Sequence, residues 1–89
     1  MKFTWDNTKR TENLRKHGID FADARKVFEG WTFTFPDNRF AYNERRFITL
    51  GFLAGITVSI AHTETDHEIR IISFRKASKQ ETKILFSNL

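Results

Sequence analysis

Arg70, Arg75, Lys76 and Lys79 crowd into ten consecutive positions near the end of the chain. A guanidinium fork matches two phosphate oxygens at once, and a group of such cations offsets the charge that builds on a five-coordinate phosphorus. Cations of this kind allow RNA to be cut without metal: the 2′-hydroxyl attacks, a nearby base takes its proton, and an acid protonates the leaving oxygen. Arg46, Arg70 and Arg75 are the candidate phosphate and transition-state cations, and His17 and Glu64 the candidate proton-transfer groups. Lys76, Lys79, His62 and Phe47 are candidates for holding the RNA, Phe47 by stacking on an unpaired base. Each has a plainer reading too. His17 fits a cation at a helix C-terminus, His62 a hydrogen-bonded histidine at a strand end, and Glu64 an exposed loop carboxylate. Phe47 and Phe74 fit a layer buried beneath the C-terminal helix, and the cations from Arg75 to Lys79 fit a solvated first helical turn.

Other chemistries lack their residues. The chain has no cysteine, so disulfides and thiolate metal sites are excluded, and three histidines are a thin basis for zinc. No phosphate-binding loop, dinucleotide fingerprint, metalloprotease helix or nucleophile elbow is present. Neither a metal nor a cofactor is expected.

The elements that must position these residues can be read from caps and periodicity. Phe3 to Trp5 reads as a short strand. Asp6 is a helix N-cap, and Lys16-His17-Gly18 is a helix stop, since Gly takes the left-handed conformation after the last turn. Asp20 caps a second helix whose Phe21, Ala24, Val27 and Phe28 form one apolar stripe. Trp31, Phe33 and Phe35 then alternate with Thr32 and Thr34 until Pro36-Asp37-Asn38 turns the chain. Arg46 to Phe52 and Ile56 to Thr63 read as a hairpin around a three-residue loop, Leu53-Ala54-Gly55. That count sets Phe52 opposite Ile56, Leu50 opposite Val58, Ile48 opposite Ile60 and Arg46 opposite His62, all on one face. Thr57, Ser59 and Thr63 then point the other way, beside Arg70, Phe47, Ile72 and Phe74. A strand from Glu68 to Arg75 and a helix from Ala77 to about Phe86, with Ile84 and Leu85 inward, complete the chain. Helices succeeded by hairpin strands define an α+β layer fold: an antiparallel sheet of about four strands, two N-terminal helices and one C-terminal helix.

A chain of 89 residues holds one core, so residues 1–89 form a single domain. Ten phenylalanines against one tyrosine favour a packed interior over disorder. Fifteen Lys and Arg against eleven Asp and Glu give a net charge of +4, which suits a nucleic-acid partner. The polar stretch from Met1 to Lys9 offers neither a signal peptide nor a membrane span, and the expected location is the cytoplasm.

Taken in order, Trp5-Asp6, Lys9, Asn13-Leu14, Lys16-His17-Gly18, Phe21, Ala24 and Val27-Phe28 resemble the BrnT family, as do Glu44, Arg46 and Gly51. The resemblance continues through Arg70-Ile71-Ile72-Ser73, Arg75-Lys76-Ala77 and Glu81, so that it runs from Phe3 to Glu81. It implies a toxin of a bacterial toxin-antitoxin pair, with a fold similar to RelE-type ribonucleases and RNA cleavage that stops translation. It also implies a hetero-oligomer with BrnA, a ribbon-helix-helix antitoxin through which alone the toxin would reach DNA. Phe74 stands where a small residue is common in the family, Phe86 lies near the place of a frequent Tyr, and Gly30 to Asn43 matches poorly. Two rival readings remain: a non-catalytic RNA-binding module on the same basic face, and a protein whose basic surface serves only to meet an acidic antitoxin.

Overall fold

The computed structural model describes residues 1–39 and 43–89. Strand β1 (Lys2–Thr4) leads into helix α1 (Asn7–His17), both of whose ends obey the expected chemistry. The Asp6 carboxylate accepts from the Thr8 and Lys9 N–H groups at 2.8 and 3.1 Å. At the other end Gly18 takes φ 71°, and its N–H donates to the Leu14 carbonyl at 2.8 Å. Asp20 also caps as expected, accepting from Ala22 N–H, but the chain it caps forms a 3-10 turn (Phe21–Asp23) before the short helix α2 (Ala24–Glu29). Four strands come next: β2 (Phe33–Pro36), β3 (Phe47–Leu53), β4 (Ile56–Glu64) and β5 (Glu68–Lys76). Helix α3 (Lys79–Ser87) opens on a capping box formed by Ser78 and Glu81. Among the described residues no helix is long and apolar enough to cross a membrane.

The sheet has five strands in the order β1-β5-β4-β3-β2, and it is mixed rather than antiparallel throughout. The correction comes from β1, which pairs in parallel with β5, Phe3 lying against Ile69 and Thr4 against Arg70. Residues so far apart in sequence carry no turn signal that would announce their pairing.

The β3–β4 register also differs from the expected one, by a single residue. Leu53 pairs with Ile56, Gly51 with Val58, Thr49 with Ile60 and Phe47 with His62. The turn has two residues, not three, because Ala54 takes φ 49° beside Gly55 at φ 79°. Two successive positive φ angles make the tight turn that matches strand twist, at the cost of placing an alanine in the left-handed region. Both faces of the sheet are covered, so β3 and β4 are apolar on both sides, and alternation alone cannot fix which residues share a face.

One face packs Val58, Ile60, Ile69, Ile71 and Phe74 against Phe21, Ala24 and Val27 of the N-terminal helical segments. The other packs Ile48, Leu50 and Ala61 against Leu85 of α3, with Phe33, Phe35, Phe52, Ile72 and Ile84 around them. A bulge between Ala61 and His62 lets β5 carry one extra residue, which turns Phe74 to the side of Ile71. Phe74 is thus fully buried against the N-terminal helical segments, neither beside Arg70 nor beneath the C-terminal helix as expected.

α1 is tied to the sheet by a polar side chain. Asn13, its one buried residue, donates through Nδ2 to the Phe74 carbonyl at 2.7 Å and the Ile19 carbonyl at 3.0 Å. Its Oδ1 accepts from the Phe74 N–H at 3.1 Å. β1 is too short to cover this part of β5, and Asn13 occupies the open edge as a neighbouring strand would.

Candidate functional site

The register gathers the three candidate arginines onto the α3 side of the sheet. Thr4, Arg70 and Thr63 lie in one row across β1, β5 and β4. Arg46 directly precedes Phe47, which shares His62's side, so Arg46 falls on the opposite side with Ile48 and Thr63. The bond from Asp37 N–H to the Arg46 carbonyl, at 2.9 Å, extends the β2–β3 ladder through it. Farther along the same face Arg75 pairs with Ser59.

The three guanidiniums differ in their surroundings. Arg46 is largely covered and lies 3.6 Å from Glu44. Arg75 is held by both oxygens of Glu81, at 2.8 and 3.1 Å. Arg70 is exposed, and among the described residues no carboxylate pairs with it. Burial alone would raise the Glu81 carboxyl, but the Arg75 and Ser78 hydrogen bonds outweigh it and hold the group below its usual range. Glu81 is therefore an anion at neutral pH.

His17 ends α1 and lines a groove of about 380 Å³ between that helix and β5, together with Lys9, Lys16 and Ser73. The groove adjoins the strand that carries Arg70. Glu64, at the end of β4, pairs with Ile69 and so alternates to the side away from Arg70. The structure does not bring it to the arginines. Lys76 and Lys79 are exposed at the end of β5 and the start of α3.

His62 and Phe47 are both candidates for holding RNA. The register turns Phe47 over to the side of Val58 and Ile60, where His62 already stands, and that side is covered by the N-terminal helices. His62 is 1% exposed, with Phe28 edge-on at 5.3 Å and Phe47 stacked at 6.0 Å between ring centroids. Its Nε2 hydrogen-bonds Thr49 Oγ1 at 2.7 Å, and Thr49 continues to Thr34 at the same distance. Burial pushes its pKa down to about 4, against a smaller opposing contribution from the Thr63 backbone. No base reaches a histidine in that position. Phe47 is half-buried and has Arg45 over its ring as well, so a stacking base would have to displace a neighbour.

Two residues of consequence went unassigned from sequence. Glu81 and Asn13 figure there only among the residues of the family resemblance, with no role given. The helix-start spacing Ser78-x-x-Glu81 is the local signal that marks the first, and the second carries no local signal beyond being polar on a helix. Among the described residues no cluster of three His, Asp or Glu side chains is arranged to hold a metal ion.

This is a small α+β protein in which one sheet face carries three arginines, two of them ion-paired and Arg70 exposed without a carboxylate partner among the described residues, beside a groove lined by Lys9, Lys16 and His17. The chain matches the family described as the ribonuclease toxin, BrnT, of type II toxin-antitoxin systems over residues 5–81, and it belongs to that family. Membership implies RNA as substrate and an antitoxin as partner. Comparison with curated proteins gives no significant match.

Proposed function

We propose that the α3 side of the sheet is the RNA-cleaving site and that it works without metal. The 2′-oxygen attacks the adjacent phosphorus, the bond to the 5′-oxygen breaks, and the products are a 2′,3′-cyclic phosphate and a 5′-hydroxyl. Arg70 and Arg46 offset the charge on the phosphoryl oxygens, with Arg75 farther along the same face. His17 moves a proton from the groove at the strand edge, and Lys9 and Lys16 beside it attract the chain of phosphates. The toxin acts in the cytoplasm by stopping translation, and a ribbon-helix-helix antitoxin neutralises it and supplies any contact with DNA.

The observation that carries this reading is Arg70, an exposed guanidinium with no carboxylate partner among the described residues. The test is cleavage of a labelled RNA in EDTA by wild type, Arg70→Ala and Arg70→Lys. Loss of one transition-state cation costs about 3 to 4 kcal/mol, so Arg70→Ala falls by roughly two to three orders of magnitude. Lysine restores part, because an ammonium lacks the planar fork. Cleavage that requires added metal removes the mechanism, and undiminished cleavage by folded Arg70→Ala removes the site.

A further inference from the structure

The Glu81 carboxylate makes more bonds than a helix cap requires. Its Oε1 accepts from Ser78 N–H and from Arg75 Nη1, each at 2.8 Å. Its Oε2 accepts from Arg75 Nη2 at 3.1 Å and from the Ser59 hydroxyl at 3.3 Å. Only the Ser78 contact belongs to the capping box. The two from Arg75 fix the plane of its guanidinium, and the one from Ser59 ties the carboxylate to β4.

A guanidinium has five N–H donors in a rigid fork. In Arg75, Nη1 spends its second donor on the Lys76 carbonyl at 3.2 Å, while Nη2 has spent one on Glu81. Nε–H and one Nη2–H remain, and among the described residues neither has an acceptor. Adjacent donors of this kind match two oxygens of a phosphodiester. The carboxylate is the more covered partner, with 16% of its side chain exposed against 32% for Arg75, so the ion pair is anchored inward. Arg75 also lines a cleft of about 320 Å³ between α3 and the segment after β2, and its register places it on the face that carries Arg70.

We propose that Glu81 is a positioning residue for RNA cleavage: it grips Arg75 end-on, so that the remaining fork of the guanidinium is presented to an RNA phosphate. This rests on the reading of the α3 side of the sheet as the cleavage site. A role confined to capping α3 makes different predictions. Glu81→Gln keeps the side-chain length and an oxygen for Ser78, but its amide nitrogen cannot accept from the second arm of the fork.

The experiment is a cleavage assay in EDTA on Glu81→Gln, Arg75→Ala, the double variant and Ser78→Ala, each checked by circular dichroism. Glu81→Gln lowers cleavage roughly 10- to 100-fold, the scale expected when a reacting contact is misplaced by about an ångström. In the Arg75→Ala background the same change has no further effect, since the side chain it positions is gone. Ser78→Ala weakens the cap without touching Arg75, and it leaves cleavage within about 3-fold of wild type. Equal losses from Ser78→Ala and Glu81→Gln, or an undiminished Glu81 effect without Arg75, overturn the proposal in favour of capping. Full activity of Arg75→Ala overturns it as well, while the Arg70 result stands or falls separately. Should Glu81→Gln fail to fold, Glu81→Asp keeps charge and cap but withdraws the carboxylate by one methylene. Native dichroism with reduced cleavage then supports the proposal, and native dichroism with full cleavage overturns it.

Discussion

His62 makes the stability of the fold depend on pH in a window that can be stated in advance. Its ring is enclosed by Phe28, Phe47 and Thr49, with Nε2 bonded to Thr49 and no hydrogen-bond partner for Nδ1 among the described residues. The neutral tautomer with its proton on Nε2 donates to Thr49 and leaves no N–H without an acceptor, whereas the imidazolium would bury a charge and strand the Nδ1–H as well. The folded-state pKa is accordingly depressed from 6.5 to about 4. Between those values the unfolded chain binds a proton that the folded chain refuses, so stability is fully present above pH 6.5 and falls as the pH drops towards 4. A shift of this size corresponds to about 3 kcal/mol, a large fraction of the stability of a small domain. Asp20 and Glu81 are held below their ordinary carboxyl values by Arg10 and Arg75, so their contributions persist to lower pH and leave the window to histidine. Urea unfolding at steps from pH 7.5 to 4.5, for wild type and His62→Gln, measures the effect. The wild-type free energy should fall by about 2 to 3 kcal/mol more than that of the variant, whose neutral amide does not titrate. Parallel curves would refute the reasoning, and so would an NMR titration placing the His62 midpoint above pH 5.5.

Asn13→Ala should cost about 2 to 4 kcal/mol in urea unfolding, because it strands the buried N–H and carbonyl of Phe74 together. Asn13→Asp should recover little, since a carboxylate cannot donate to the Phe74 and Ile19 carbonyls. A Cβ added at Gly51 would stand 2.7 Å from Val27 Cγ1 and 3.2 Å from Thr32 Cγ2, so Gly51→Ala should lose about 1 to 3 kcal/mol and melt several degrees lower. Pairing it with Val27→Ala should cost less than the two single changes added together, and strict additivity would show that the clash is not the cause.

The sequence already displays the helix ends, because a cap is a local matter: Asp6, Gly18 and Ser78 each satisfy groups within a few positions of themselves. Long-range pairings are less legible. Nothing near Lys2 announces a parallel partner at Glu68, and nothing in a helix-start pattern says that its glutamate will also grip Arg75. Asn13 is hidden for a related reason. A polar residue on a weakly apolar helix reads as solvated, yet this one supplies the docking bonds that apolar packing would normally supply.

The hairpin register shows how a small misreading propagates. Side chains alternate with period two, so a slip of one residue turns the whole of β3 over relative to β4. A three-residue loop would set Arg46 on the side of Val58 and Ile60, away from Thr63 and Arg70. The two-residue turn, made possible by a positive φ at Ala54, reverses this. It moves Arg46 to the face of Arg70 and Arg75, and it sends Phe47 to join His62 in the layer beneath the N-terminal helices. The same displacement that removes an aromatic from the candidate site therefore brings a third guanidinium into it. Mechanisms for this chain should accordingly be sought among cations and the groups that aim them, not around the buried imidazole.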